Sequence, residues 1–240
     1  MPQRQSHRGQ HREDAALFAP KRVPTLREAV VDLSWLLTRE YAEAAALKLV
    51  GDHYQLDKRQ RLAVTRAACS DQSLEYRRAH EVPVEDLGGR NLVIDGYNLL
   101  ITVECALSGA ILIRGRDGCI RDIASVHGSY QCVEETSPAI HLIGQTLASL
   151  DIKSAHWYFD TPVSNSGRLR KLIEAQAAAA DWNWTVTLEK NPDNILAESK
   201  DVVVTSDSWI LDRAAAWTNL AASRGWQHHL DCGVVSPQPK

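Results

Sequence analysis

No apolar run in this sequence approaches the length of a membrane span. The first residues, Met1-Pro2-Gln3-Arg4-Gln5-Ser6-His7-Arg8, hold no apolar segment of the kind a secretory signal carries. These two absences set the expectation of a cytoplasmic protein with no membrane partner. Cysteine is scarce: there are five, at 69, 105, 119, 132 and 232, an odd number with no C-x-x-C pair. That suits free thiols in a reducing compartment rather than a disulfide framework. Cys119, His127, Cys132 and His141 are a formal zinc set, but their spacings match no common finger or ribbon. No G-x-x-x-x-G-K-[ST] loop, Ser-His-Asp order or nucleophilic-Cys signature is present, so nothing supports P-loop ATP use or acyl-enzyme chemistry. A strong charge of one sign is also missing, since the net charge is -3. Bulk electrostatics therefore neither demands nor excludes a nucleic acid.

What is present is an ordinary globular composition, 44% hydrophobic and 24% charged over 240 residues. That suffices for one large domain or two smaller ones. The charge is uneven. Residues 1–90 hold 15 Lys+Arg against 13 Asp+Glu, and residues 91–240 hold 12 against 17.

Residues 1–20 read as a flexible polar arm, 21–88 as a helical domain, and 91–240 as an α/β domain. Thr25 with Glu28 makes a capping-box pattern. The apolar positions Leu26, Val30, Leu33, Leu36, Leu37, Ala44 and Leu47 then predict one long helix, or two with a bend, over 26–50, with Gly51 as its stop. Asp57 is the expected N-cap of a second helix, from Lys58 to about Ala68. Its Lys58, Arg59, Arg61 and Arg66 form either a phosphate-contacting patch or a solvated face. Pro83 and Gly88-Gly89 mark the boundary.

The chemistry gathers at three strand ends. Leu92-Val93-Ile94 stops at Asp95, with Gly96 to turn the chain and Asn98 one turn on. Trp157-Tyr158-Phe159 stops at Asp160, and Val202-Val203-Val204 runs through Thr205-Ser206 into Asp207. Each Asp is also a good helix N-cap, which is the structural reading. Strands alternating with helices predict a parallel sheet covered on both sides. Parallel strands share a direction, so the three carboxylates fall on one edge, where open α/β sheets bind ligands. Crowded carboxylates repel, and a hard divalent cation such as Mg²⁺ or Mn²⁺ relieves this. Such an ion polarises phosphoryl oxygens and acidifies water.

Elsewhere, Arg114-Gly115-Arg116-Asp117-Gly118-Cys119-Ile120-Arg121-Asp122 is a hairpin or a loop over the site. Its Asp117 or Asp122 would add a carboxylate, and Arg116 or Arg121 would hold a phosphate. The alternative is an internal ion-pair cluster. Pro138 introduces a helix at 139–150. Ser164-Asn165-Ser166-Gly167 opens another near Arg168, so Ser164, Ser166 and Arg168 form a candidate phosphate cradle or a plain cap. A strand at 184–188, a turn at 191–194, a helix at 209–220 closed by Gly225 and a short strand at 227–231 complete the expected elements. Trp182, Trp209 and Trp217 read as core.

Val93-Ile94-Asp95-Gly96-Tyr97-Asn98 resembles the first-strand motif of the NYN branch of the PIN-like nucleases. Val203-Val204-Thr205-Ser206-Asp207 is similar to their later strand, Phe159-Asp160 to their middle acidic strand, and Asp193 to the acidic position ahead of the later one. The resemblance covers about residues 91–232. The whole chain also resembles an uncharacterised prokaryotic family that joins a helical N-terminal region to such a domain. The resemblance implies a PIN-like three-layer α/β/α parallel sheet preceded by a small all-α region, a Mg²⁺ or Mn²⁺ cofactor and RNA as partner. It also implies hydrolysis of RNA phosphodiesters by a metal-dependent ribonuclease. In that reading Asp95, Asp160 and Asp207 bind the metal, Asn98 orients a water or phosphate, and Asp193 completes the acidic set unless Asp117 or Asp122 replaces it. The alternatives are an inactive nuclease fold that binds or scaffolds nucleic acid, and a small-molecule phosphatase. The phosphatases with an Asp nucleophile usually show Asp-x-Asp after the first strand, and Asp95 is followed by Gly-Tyr. A homodimer is a candidate assembly.

Overall fold

The structure is a computed structural model that describes residues 7–124, 130–161, 163, 165–223 and 234–235. Five helices come first: α1 (Asp14–Leu17), α2 (Val23–Thr38), α3 (Glu43–His53), α4 (Lys58–Ala67) and α5 (Asp71–His80). Then follow β1 (Asn91–Asp95), α6 (Gly96–Leu107), the hairpin β2 (Leu112–Arg114) and β3 (Ile120–Asp122), α7 (Thr136–Ser149), β4 (Ser154–Asp160) and α8 (Ser166–Ala179). The chain continues through β5 (Trp184–Glu189), α9 (Pro192–Ala197), β6 (Val202–Val204), α10 (Ser208–Leu211), β7 (Trp217–Thr218) and β8 (Val234–Val235).

The helical region departs from expectation in instructive ways. Helix α2 begins at Val23 with Pro24 in its first turn, where a missing N–H costs nothing, so Thr25 is not the cap. Of the two expected forms the bent one is found: the chain breaks after Thr38, with Glu40 in the left-handed region (φ 62°), and gives two helices. Gly51 does not stop α3. It lies inside the helix because the Arg61 guanidinium covers it, and a Cβ there would stand 2.1 Å from Arg61 Nη1. Asp57 sits at the N-cap of α4 as expected, and it forms a capping box with Gln60. Helix α5, unexpected from the sequence, is capped by Ser70, whose Oγ accepts from Ser73 N at 3.0 Å.

Residues 7–20 are not a free arm. Arg59 clasps the buried Asp14 through both nitrogens of its fork, and Arg8 Nε donates to the fully buried Glu104 at 2.7 Å. Tyr130 and Thr136 hydroxyls also donate to Glu104. A buried carboxylate left alone would cost several kcal/mol, on the order of 3–5, so these ion pairs pin the stretch to the body.

The main sheet is entirely parallel, in the order β5-β4-β1-β6-β7. Its residues alternate as the pleat requires. Leu92, Ile94, Trp157, Phe159, Val202 and Val204 face α6, α7 and α8 in the largest core. Val93 and Val203 face the short helices α9 and α10. Over β4 and β5 that second face is half open: His156, Tyr158 and Thr187 stay half-buried there. The α/β class and the helical N-terminal region are thus as expected, with helices on both faces.

A second sheet, β3-β2-β8, carries Ile111, Ile113 and Ile123 into the core of the N-terminal helices. The helical region therefore shares its core with a hairpin drawn from the α/β part. The expected turn at 191–194 is instead the start of α9, with Pro192 in its first turn and Asn191 left-handed before it. The expected helix at 209–220 ends after four residues. Trp217 is drawn out of it into β7, fully buried beside Val203, and its Nε1 donates to Arg77 O at 2.8 Å. Burial of an indole outweighs the helix propensity of Ala214-Ala215-Ala216. Gly225 and the expected strand at 227–231 lie outside the described residues. No described helix is long and apolar enough to cross a membrane.

Candidate functional site

From β1 the chain steps outward to β4 and β5, then crosses back to lay β6 and β7 on the other side. β1 and β6 are therefore neighbours whose connections leave in opposite directions. That leaves a crevice between their carboxyl ends, the usual ligand site of an open α/β sheet. Here the crevice is a cleft of about 250 Å³ whose lining includes Asp95, Asp122, Asp160, Asp193 and Asp207. Tyr97, Asn98, Tyr158 and Arg66 line it as well.

Each carboxylate arrives by a definable route. Ile94 pairs with Val204, so Asp95 lies beside Thr205 one step on. The Thr205 hydroxyl donates to Asp95 Oδ2 at 2.8 Å and accepts from Asp207 N at 3.0 Å, tying the two strand ends together. Asp95 Oδ1 accepts a long 3.4 Å bond from Asn98 N, the cap of α6. Asp207 Oδ1 caps α10, accepting from Trp209 N and Ile210 N, and its other oxygen remains for a ligand. The capping reading of these residues is therefore real, and it coexists with their place in the cleft. Asp160 ends β4, and Asp193 sits in the first turn of α9. Asp122 enters from β3, where Ala124 N donates to it at 2.7 Å and Arg66 Nη1 stands 3.6 Å away.

The Asn98 side chain faces β6. Its Oδ1 accepts from both Ser206 N (2.8 Å) and Ser206 Oγ (2.9 Å), which leaves Nδ2 as its free donor. Gly96 does not turn the chain through a special φ. It is small because the Phe159 ring lies against it, and a Cβ there would come within 2.4 Å of Phe159 Cε1.

Electrostatics marks the cleft. Burial, reinforced by the charges of Asp207 and Asp193, pushes the Asp95 carboxyl up to about 7, although the Thr205 hydrogen bond opposes it. Burial together with Asp207 and Asp160 raises Asp193, and burial raises Asp122. Burial and the Asp160 charge lift the Tyr97 phenol to about 12. Asp160 Oδ1 and Tyr97 Oη are both buried without a hydrogen-bond partner. Buried polar atoms are nearly always paired, so these two have hydrogen-bonding capacity left for a water, an ion or a ligand. Among the described residues, no three His, Cys, Asp or Glu side chains are close enough together to hold a metal ion by themselves.

Several candidate residues fall elsewhere. Asp117 is buried between Arg77 (2.5 Å) and Arg121 (2.6 and 2.8 Å) and does not line the cleft. Burial alone would raise its carboxyl, but the Arg121 and Arg77 guanidiniums hold it at about 2. Arg121 is buried and also donates to Ser206 O at 2.7 Å, so it braces the β6–α10 turn and is not open to a phosphate. Arg116 is taken up by Cys69 O and Asp71. Between Asp117 and Asp122, the hairpin is thus an ion-pair core at one end and a cleft wall at the other. Ser166 is buried in the first turn of α8 and Arg168 is exposed, and neither lines the cleft. Ser164 lies outside the described residues. Of the four cations of α4, Lys58 is exposed and three are engaged within the fold: Arg59 holds Asp14, Arg61 holds Asp52 and Leu56 O, and the part-exposed Arg66 holds Asp122 O. Among the described residues Cys119, Cys132 and His141 do not form a metal-holding group, and His127 lies outside the described residues. Of the three tryptophans, Trp209 is exposed under Arg213, whereas Trp217 is core.

Residues 84–223 match the profile of a domain of unknown function, DUF5616, and residues 25–80 that of a protein of unknown function, DUF434. The chain belongs to the DUF5616 family. An uncharacterized protein of Methanocaldococcus jannaschii is 34% identical over 187 residues, covering 78% of this chain and 89% of that protein. No solved structure matches. The DUF5616 segment holds Asp95, Asp122, Asp160, Asp193 and Asp207, while Arg66 comes from the DUF434 segment.

The sequence analysis gave Thr205, Ser206, Tyr97 and Tyr158 no role of their own in the site, and it left Arg66 between a phosphate contact and a solvated charge. Thr205-Ser206 ahead of Asp207 was the available signal, because hydroxyl residues between a buried strand and a capping Asp can bond neighbouring strand ends. Nothing in the sequence placed Arg66 beside Asp122.

Proposed function

We propose that the chain is a metal-dependent phosphodiesterase that hydrolyses RNA, with its site in the acidic cleft. The observation that carries this reading is the convergence of five aspartates at the switch point between β1 and β6, with Asp95 pushed up to about 7. Perturbed carboxylates in a cleft mark functional sites more often than structural ones. The PIN-like resemblance of the Asp95, Asp160 and Asp207 strands supports the same chemistry.

An all-oxygen donor set suits a hard divalent cation. Mg²⁺ is typically held by one or two carboxylates and keeps several waters, so a cleft without a ready three-ligand cage still fits it. Of Asp95, Asp160 and Asp207, one or two would hold the ion directly, and the others, with Asp193 and Asp122, would add negative charge around it. When bound, it supplies Lewis-acid polarisation of the phosphoryl group and an acidified water. The protein's own groups then act as follows. Thr205 fixes the Asp95 carboxylate and the Asp207 backbone in one orientation. Asn98, locked through Oδ1 by Ser206, offers Nδ2 to a non-bridging phosphate oxygen. Arg66 brings the one cationic side chain among the residues lining the cleft and offsets charge on a phosphate held there.

A second reading is a nucleic-acid-binding protein that does not cut. One observation favours it: no three described side chains stand ready to ligate a metal. Cleavage of a labelled single-stranded RNA with Mn²⁺, with chelator, and in Asp95→Asn and Asp207→Asn variants decides between them. Asn is a good N-cap, so both variants keep their helix starts. Metal-dependent cleavage lost in both supports the nuclease. RNA binding without cleavage, unchanged in both variants, supports the binding protein.

A further inference from the structure

A second depression, of about 400 Å³, adjoins the acidic cleft. Arg66, Asn98 and Asp207 line both. One wall comes from the N-terminal helices, with Thr65, Arg66 and Ser73 facing in, and the other from the β6–α10 turn with Ser206 and Ser208. Arg77 and Arg121 also touch this space, but they are buried and saturated by Asp117, Asp212 and Ser206 O. Arg66 is different: its side chain is one-third exposed at the junction of the two spaces.

Thr65 Oγ1 is buried in this groove without a partner. Of the seven such orphaned side-chain atoms among the described residues, three (Thr65, Tyr97 and Asp160) fall along these two adjoining depressions. A ligand that completes all three must extend from the carboxylates to the helices. A single small phosphate at the carboxylates reaches only one end. Hydroxyls and one guanidinium are the donors that meet phosphate oxygens and ribose hydroxyls along a polynucleotide backbone.

We propose that the helical region and the β6–α10 turn form a groove for one strand of RNA. The strand runs from this groove into the acidic cleft, and Arg66 holds the phosphate next to the one at the carboxylates. The proposal rests on the phosphodiesterase reading and deepens it by requiring a polymeric substrate. In its terms Arg66 is a positioning residue supplied by the DUF434 segment.

The test uses the full chain and three variants: Ser73→Trp, which fills the groove away from the carboxylates, Arg66→Gln and Arg66→Lys. Binding of a fluorescent oligouridylate on the order of ten nucleotides long is read by anisotropy with Ca²⁺. Hydrolysis with Mn²⁺ is compared for that oligomer and for bis(p-nitrophenyl) phosphate, and melting curves confirm folding. We expect Ser73→Trp and Arg66→Gln to weaken oligomer binding about tenfold and to lower the ratio of oligomer to small-diester hydrolysis as much, with partial rescue in Arg66→Lys. Oligomer binding that is normal in a folded Ser73→Trp overturns the groove. So does failure of the wild-type chain to bind the oligomer. If the chain binds the oligomer through the groove but hydrolyses neither substrate, the groove stands and the phosphodiesterase reading falls.

Discussion

Replacing Asp95 by Asn should make the metal-free protein more stable at pH 8 and flatten its response to pH. Raising a carboxyl from its ordinary 3.8 to about 7 means that the native state resists ionisation. Below pH 3.8 the group is protonated in both folded and unfolded chains, and no penalty exists. Between 3.8 and 7 the unfolded chain ionises first, so native stability is lost as pH rises, and above 7 the loss is complete. The full linkage is on the order of 4 kcal/mol. Asp95 is half-buried rather than sealed, so screening reduces the figure to about 2 kcal/mol. Asn keeps the cap of α6 and can still accept from Thr205. For a chain of this size the gain is about 4–8 °C in Tm. Chemical denaturation at pH 4.5 and pH 8 with chelator measures it directly. Asp193 and Asp122 are raised in the same direction and leave a residual slope in the variant. Adding Mn²⁺ at pH 8 should reverse the order, since the wild type gains binding energy that the variant lacks. An identical pH dependence in wild type and Asp95→Asn, with Mn²⁺ stabilising neither, would refute the electrostatic account of the cleft.

Two further outcomes follow from the packing. Asp117→Asn leaves Arg77 and Arg121 buried with half their counter-charge, and should cost about 3–5 kcal/mol in urea denaturation; a loss under about 1 kcal/mol would show that this pair is solvated. Gly96→Ala drives a methyl into the Phe159 ring and should cost about 1–3 kcal/mol, with Phe159→Leu in the same chain restoring part of it. Additive losses in the double variant would rule out that contact as the cause.

The acidic strand ends were legible because each is a local pattern. A β-branched or aromatic run ends in Asp, and a parallel sheet then gathers those ends without further information. Helix α4 was legible for the same reason, since Asp57 is a favoured N-cap placed directly ahead of it. What failed depended on partners distant in sequence. Arg121 and Asp117 could be read as a site or as an ion pair, and the choice was made by Arg77 on a helix the sequence did not announce. Arg66 could be read as a phosphate contact or a solvated charge, and only β3 brings Asp122 beneath it. The run from Trp209 to Leu220 has helical composition, and only the place left beside β6 turns Trp217 into a strand.

The hairpin has a consequence for how such chains change over generations. Ile111, Ile113 and Ile123 leave the α/β unit to close the core of the N-terminal helices, and Arg8 reaches forward to clasp Glu104 on α6. The two family profiles abut between residues 80 and 84, yet no clean cut exists there in space. A gene split at that point would yield one fragment with bare isoleucines and another without a floor. The two segments are therefore not interchangeable cassettes. A recombination event that parts them must rebuild a shared interior on both sides, and inheritance as a pair is the outcome this architecture enforces.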